Sequence, residues 1–127
     1  MAKINNIAIC FIVLLMLVTG CTRDNIRLFT EMIHLKKALE KEYKVDDLNL
    51  SVWNGNTIAV SFVNSSFNAL SETEKQSKAE EIARFVNKHN TTKNIKMISV
   101  GFVVYKHYII FTYTRNTDNF DFRVTQL

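Results

Sequence analysis

The sequence predicts an α+β fold: a two-layer sandwich with two helices packed on one face of a mostly antiparallel sheet, in the order α-β-β-α-β-β with a short last strand. Three observations predict it. Two stretches, Asp24 to Tyr43 and Ser71 to His89, repeat apolar residues at helical spacing. Two pairs of stretches alternate apolar and polar residues, with a turn signal between the members of each pair. Each helix precedes one such pair, which leaves both helices to cover a single face of the sheet.

The first helix carries Ile26, Phe29, Met32, Ile33, Leu39 and Tyr43 along one stripe, widened by Leu28 and Leu35. Asp24 is the expected N-cap, and core packing is the expected use of the stripe. Asp46-Asp47 then turns the chain. Adjacent carboxylates at the mouth of a strand point apart, so this pair reads as a loop and not as a metal or acid–base site. Strands follow at Leu48–Trp53 and Thr57–Val63, joined by Asn54-Gly55-Asn56, a strong hairpin signal. Loop length decides which side chains share a face. A two-residue loop sets Ile58, Val60 and Phe62 opposite polar residues. A three-residue loop pairs Val52 with Ile58, Leu50 with Val60 and Leu48 with Phe62, so that all six apolar side chains share one face. The odd-length loop is therefore expected.

Asn64 to Leu70 reads as an irregular connection, with Phe67 and Leu70 tucked beneath it. Ser71-Glu72-Thr73-Glu74 is a capping box, and the helix that it opens runs to about His89. Ala79, Ile82, Ala83 and Val86 form its buried stripe. Its acids gather early and its bases late, which complements the helix dipole. The strongest strand pair is about Ile95–Tyr105 and Tyr108–Arg115, turning around Lys106-His107. That register faces Val104 with Ile109, Phe102 with Phe111 and Val100 with Tyr113. Asn116 to Asn119 reads as a turn. Phe120 to Val124 reads as a short edge strand whose charged residues, Asp121 and Arg123, point one way.

The three histidines, His34, His89 and His107, have no second histidine, cysteine or acid at ligand spacing. There is no nucleophile elbow, and three glycines supply no phosphate-cradling loop. No catalytic residue, metal or cofactor is expected. What remains is surface. Trp53, Val103, Tyr105, Tyr108 and Ile110 are expected on the outer face of the sheet, as a candidate binding surface for another protein or a second copy of the chain.

The N-terminal stretch says where that surface goes. One positive charge, Lys3, precedes an uncharged, mostly apolar run from Ile7 to Val18. The run falls short of the roughly 20 residues of a membrane-spanning helix and suits the apolar core of a signal peptide. Small residues Thr19 and Gly20 then stand directly before Cys21. Val18-Thr19-Gly20-Cys21, with Leu17 upstream, resembles the lipobox of bacterial lipoproteins. That resemblance implies cleavage between Gly20 and Cys21, diacylglycerylation of the Cys21 thiol, and palmitate-type acyl chains that hold the protein on a membrane. Residues 1–20 would be the cleaved signal peptide and residues 21–127 a single lipid-anchored domain in the cell envelope, on the outer membrane if the cell is Gram-negative.

Cleavage there takes 20 of the 127 residues and leaves 107, enough for one domain with a modest core. Cys10 leaves with the signal peptide and Cys21 carries lipid, so no thiol remains for a disulfide or a zinc site. The net charge of +4 falls to +3 as Lys3 departs. The charges are mixed in sign with no Lys/Arg run, so nucleic acid is not an expected partner. The helix–strand–strand–helix–strand order is similar to that of the BON domain of envelope proteins, a family associated with phospholipid membranes. This likeness is one of element order, and no functional residue is carried over from it. The functional expectation is a non-catalytic protein-binding or assembly module in the cell envelope, held at the membrane surface and binding another envelope protein or a second copy of the chain. The alternatives are a lipid-binding envelope module and, behind it, a small enzyme or inhibitor whose site assembles only in three dimensions.

Overall fold

The computed structural model describes residues 23–107, 109–110 and 112–127. The proposed cleavage and lipidation residues Gly20 and Cys21, and Tyr108 of the expected binding surface, lie outside them. The chain divides into two compact units, 1–30 and 31–127. Of the first, only the opening turns of helix α1 (Arg23–Tyr43) are described. There Thr30 Oγ1 donates 2.9 Å back to the Ile26 carbonyl, and Ile26 and Phe29 are exposed. This corrects the expectation that the whole apolar stripe of α1 packs into the core. The backbone is also already helical at Arg23, so Asp24 lies within the helix and not at its N-cap position.

The second unit is the α+β sandwich. Strands β1 (Leu48–Trp53), β2 (Thr57–Val63), β3 (Met97–His107) and β4 (Thr112–Arg123) form one sheet in the order β1-β2-β3-β4. The β1–β2 and β3–β4 pairs are antiparallel, while β2 and β3 are parallel. A parallel pair needs a crossover, and helix α2 (Glu72–His89) supplies it. Side chains alternate across the sheet. Leu48, Ile58, Val60, Phe62, Ile98, Val100 and Phe102 therefore fall on one face, where Leu35 and Leu39 of α1 and Ala79, Ile82, Ala83 and Val86 of α2 cover them. The first hairpin has the register that its three-residue loop dictates: Val52 opposite Ile58, Leu50 opposite Val60 and Leu48 opposite Phe62. Gly55 and Asn54 take positive φ there, which glycine and asparagine tolerate best.

The second hairpin departs from expectation. Val104 lies opposite Arg115, Phe102 opposite Asp118, Val100 opposite Phe120 and Ile98 opposite Phe122. Of the expected partners, Ile109 and Tyr113 are exposed instead, and Phe111 lies outside the described residues. The expected turn at Asn116–Asn119 lies within β4, and the expected last strand is the C-terminal half of β4. The hairpin does not turn around Lys106-His107: its last pair is His107–Thr112, and a further one-residue shift falls between Phe102 and Val103. One extra residue in β4 resets its alternation, so odd-numbered Tyr113 and even-numbered Phe120 and Phe122 fall on the same side. Sequence alternation, read straight through, cannot foresee that reset.

Two ends of this unit matter for the site. The α2–β3 connection lies at one end, where Thr92 Oγ1 donates 3.0 Å to the Glu31 carboxylate; the chain enters the unit there. At the other end β2 stops at Val63, opposite Val103. Beyond that row β3 and β4 continue alone as a two-stranded ribbon to His107 and Thr112.

Candidate binding surface

The ribbon stands on a rigid base. Phe62, Phe67, Phe102, Tyr43, Phe85 and Phe120 form a run of ring contacts beneath it, with centroids 5.3–6.2 Å apart and mostly edge to face, the geometry that aromatic quadrupoles favour. Lys78 Nζ adds a cation 5.9 Å from the Tyr43 ring and 5.8 Å from that of Phe67. Burial, reinforced by the nearby carboxylates of Glu81 and Glu42, pushes the Tyr43 hydroxyl well above its ordinary pKa, so it stays protonated. At the bulge itself, Lys75 of α2 reaches Asp118 at 2.8 Å with both side chains largely shielded from water.

Asn64 completes the base. It follows β2 directly at φ 49, and its backbone N–H donates to the Val103 carbonyl at 2.8 Å. Its side-chain amide then does what a further strand residue would do. Nδ2 donates to the Tyr105 carbonyl at 2.8 Å, and Oδ1 accepts from the Tyr105 N–H at 2.9 Å. Asn68 Nδ2 donates to the Val103 carbonyl as well, at 3.3 Å. The ribbon therefore leaves the sheet in a fixed direction although β2 has ended.

Past Tyr105 the apolar surface is open. Tyr105 is 42% and Tyr113 46% exposed, and at the tip Ile109 and Ile110 reach 103% and 91%. Tyr105 lies opposite Thr114 and Tyr113 opposite Lys106, so the two tyrosines face opposite sides of the ribbon. His107 Nδ1 and Thr112 Oγ1 stand 3.2 Å apart across its last pair. The ribbon is also cationic. From Ile82 to Thr117 the chain has no acidic residue, and Lys106, His107 and Arg115 flank the apolar tip.

The structure splits the expected surface. Tyr105 and Ile110 belong to the ribbon and its tip, and Val103 to the row at its base. Trp53, 63% exposed, lies on the row Trp53–Thr57–Met97–Arg123, at the other end of β3. Met97 and Tyr105 are separated by roughly 26 Å of strand at about 3.3 Å per residue, so Trp53 forms no continuous patch with the tyrosines. Ile109, Tyr113 and the Asn64 clamp were not among the expected site residues. The acid-free stretch around them is the signal that points there.

A groove between α1 and α2 is lined by Glu31, His34, Leu35, Ala38, His89 and Thr91. His89 is occupied structurally, stacked on Phe85 at 4.0 Å with Nδ1 2.9 Å from the Phe85 carbonyl. Among the described residues no three metal-ligating side chains converge, and no helix is long and apolar enough to cross a membrane. Compared with protein families, characterised proteins and solved structures, the chain matches no family model, no sequence and no structure.

Proposed function

We propose that this chain is a lipid-anchored bacterial envelope protein that acts by binding rather than by catalysis, with the β3–β4 ribbon as its binding element. One observation carries the proposal: two consecutive isoleucines stand almost fully exposed at the end of a ribbon whose base is clamped by Asn64. Exposing contiguous apolar surface is unfavourable in an isolated soluble domain and marks interaction sites. The Val18–Cys21 lipobox supplies the anchor, since two or three acyl chains hold a protein firmly where one does not. A protein partner of the envelope is the first reading of what the ribbon binds.

The acid-free, cationic surround of the tip favours a second reading, an anionic lipid surface, to which each nearby basic residue adds attraction. One experiment separates the two. Ile109→Ser with Ile110→Ser should abolish crosslinked capture of a polypeptide from intact cells while leaving the circular dichroism spectrum unchanged. If the double variant captures as well as the parent and instead loses binding to phosphatidylglycerol vesicles, the ribbon is a lipid-binding element. If it changes neither, the ribbon is not the binding element. The anchor has its own test: Cys21→Ser should accumulate as an unprocessed precursor that takes up no labelled palmitate, and normal processing of that variant would refute the lipoprotein reading.

A further inference from the structure

The two edges of the sheet are protected differently. Edge strands offer unpaired N–H and C=O groups to other chains, and proteins guard them with charges, bulges or proline. Edge strand β4 has a bulge and carries Arg115, Asp118, Asp121 and Arg123. Edge strand β1, Leu48–Trp53, has no charged residue, no proline and no bulge against its neighbour. Its core-side residues Leu50 and Val52 are only half-buried, and Trp53 beside them is exposed.

The hydrogen bonds show which groups of β1 face outward. Asp47 and Trp53 turn their carbonyls inward, accepting from Val63 and Asn56 at 3.0 and 3.2 Å. Residues of an antiparallel strand alternate between bonding one neighbour and the other. Asn49 and Ser51 therefore bond β2 with Asp47 and Trp53, while Leu48, Leu50 and Val52 present N–H and C=O to the open edge.

We infer that this edge pairs with the β1 edge of a second copy, antiparallel about a two-fold axis through Ser51. The self-complementarity of β1 is the argument. An axis normal to the sheet keeps the core faces of both copies on one side, so only residues of like parity pair. Centred on Ser51, the pairing sets Leu50 opposite Val52 twice and Asn49 opposite Trp53 twice, with Ser51 opposite its own copy. Leu50 and Val52 exchange both backbone hydrogen bonds, and each half-buried apolar side chain gains an apolar cross-strand neighbour. No charge opposes a like charge, because β1 has none. The product is one eight-stranded sheet with all four helices on the same side. The pairing uses nothing of the ribbon or of the lipid anchor, so its failure and theirs are independent.

Cysteine crosslinking of the full chain in its own membranes tests the register. Across the axis, Ser51 and its copy form a non-hydrogen-bonded pair with Cα atoms about 4.5 Å apart, inside the range that a disulfide spans. Asn49 and its copy lie two residues to either side of the axis, about 14 Å apart along the strands. Under mild oxidation Ser51→Cys should form a disulfide-linked band of twice the chain mass, and Asn49→Cys should not rise above the parent chain, whose Cys10 and Cys21 are common to both. Adding Val52→Pro to Ser51→Cys removes an outward N–H, a change that an edge strand tolerates, and should abolish the band. The proposal is overturned if Ser51→Cys gives no dimer, if Asn49→Cys crosslinks equally, if Val52→Pro leaves the band intact, or if the adduct has the mass of a different polypeptide.

Discussion

Asn64 shows how much of the site rests on single side chains. Asparagine occupies the left-handed region more readily than other non-glycine residues, and at φ 49 its amide is aimed at both polar groups of Tyr105. Asn64→Ala removes both bonds. With each intramolecular hydrogen bond contributing about 1 kcal/mol net, the ribbon base should loosen by roughly 1–2 kcal/mol. Amide exchange at Tyr105 should speed up while that at Val100 does not, and equal acceleration at both would mean global destabilisation instead. Nearby Ser65 gives the opposite expectation. Its Oγ is buried without a hydrogen-bond partner among the described residues, so Ser65→Ala should hold or raise the melting temperature. Gly101→Ala should also be mild, although the added Cβ would lie 2.6 Å from Asn119 Oδ1. That oxygen is the far end of an exposed side chain that can swing away, and alanine lowers the chain entropy that glycine loses on folding.

Secondary-structure elements follow from local chemistry where a single rule decides them. The α2 start is such a case. Ser71 Oγ caps the Glu74 N–H, and the Glu74 carboxylate accepts 2.9 Å from the Ser71 N–H. Ser71→Ala should cost about 1 kcal/mol in urea melts. Hydrogen bonds from the Ser71 hydroxyl, then from its backbone N–H, hold the Glu74 carboxyl below its ordinary pKa of 4.5. A folded-state pKa that is depressed contributes stability present above the unfolded value and lost as pH falls through the folded one. The parent should therefore lose stability relative to Glu74→Gln as the pH drops below about 4.5, and a constant difference would contradict this role. The first hairpin was legible for a similar reason. Only one loop parity places Leu48, Leu50, Val52, Ile58, Val60 and Phe62 together. The second hairpin was not legible, because its last pair is His107–Thr112 and a bulge in β4 then shifts parity, so that Phe120 takes the position opposite Val100 expected of Tyr113 and Asp118 the one opposite Phe102 expected of Phe111.

At the level of the whole molecule, the sandwich buries one face of its sheet and leaves its ribbon outside. Phe62 joins both parts. It is fully buried and touches the rings of Tyr43, Phe67 and Phe102, so Phe62→Ala should cost about 3–5 kcal/mol and release the ribbon base with the core. The layer arrangement was legible from helical and strand periodicity, since burial drives both. The site was legible only in part: Tyr105 and Ile110 were flagged by their apolar character, but Ile109 looked like core, and nothing in local pattern separates a core isoleucine from one at a projecting tip. The claim that the ribbon is the binding element is tested most directly by a photo-crosslinking residue placed at Ile110 of the full chain in living cells. The account predicts one discrete polypeptide adduct from position 110 and none from the same probe at Asp121, on the exposed side of β4 away from the tip. No adduct at position 110, or the same adducts from both positions, would contradict it.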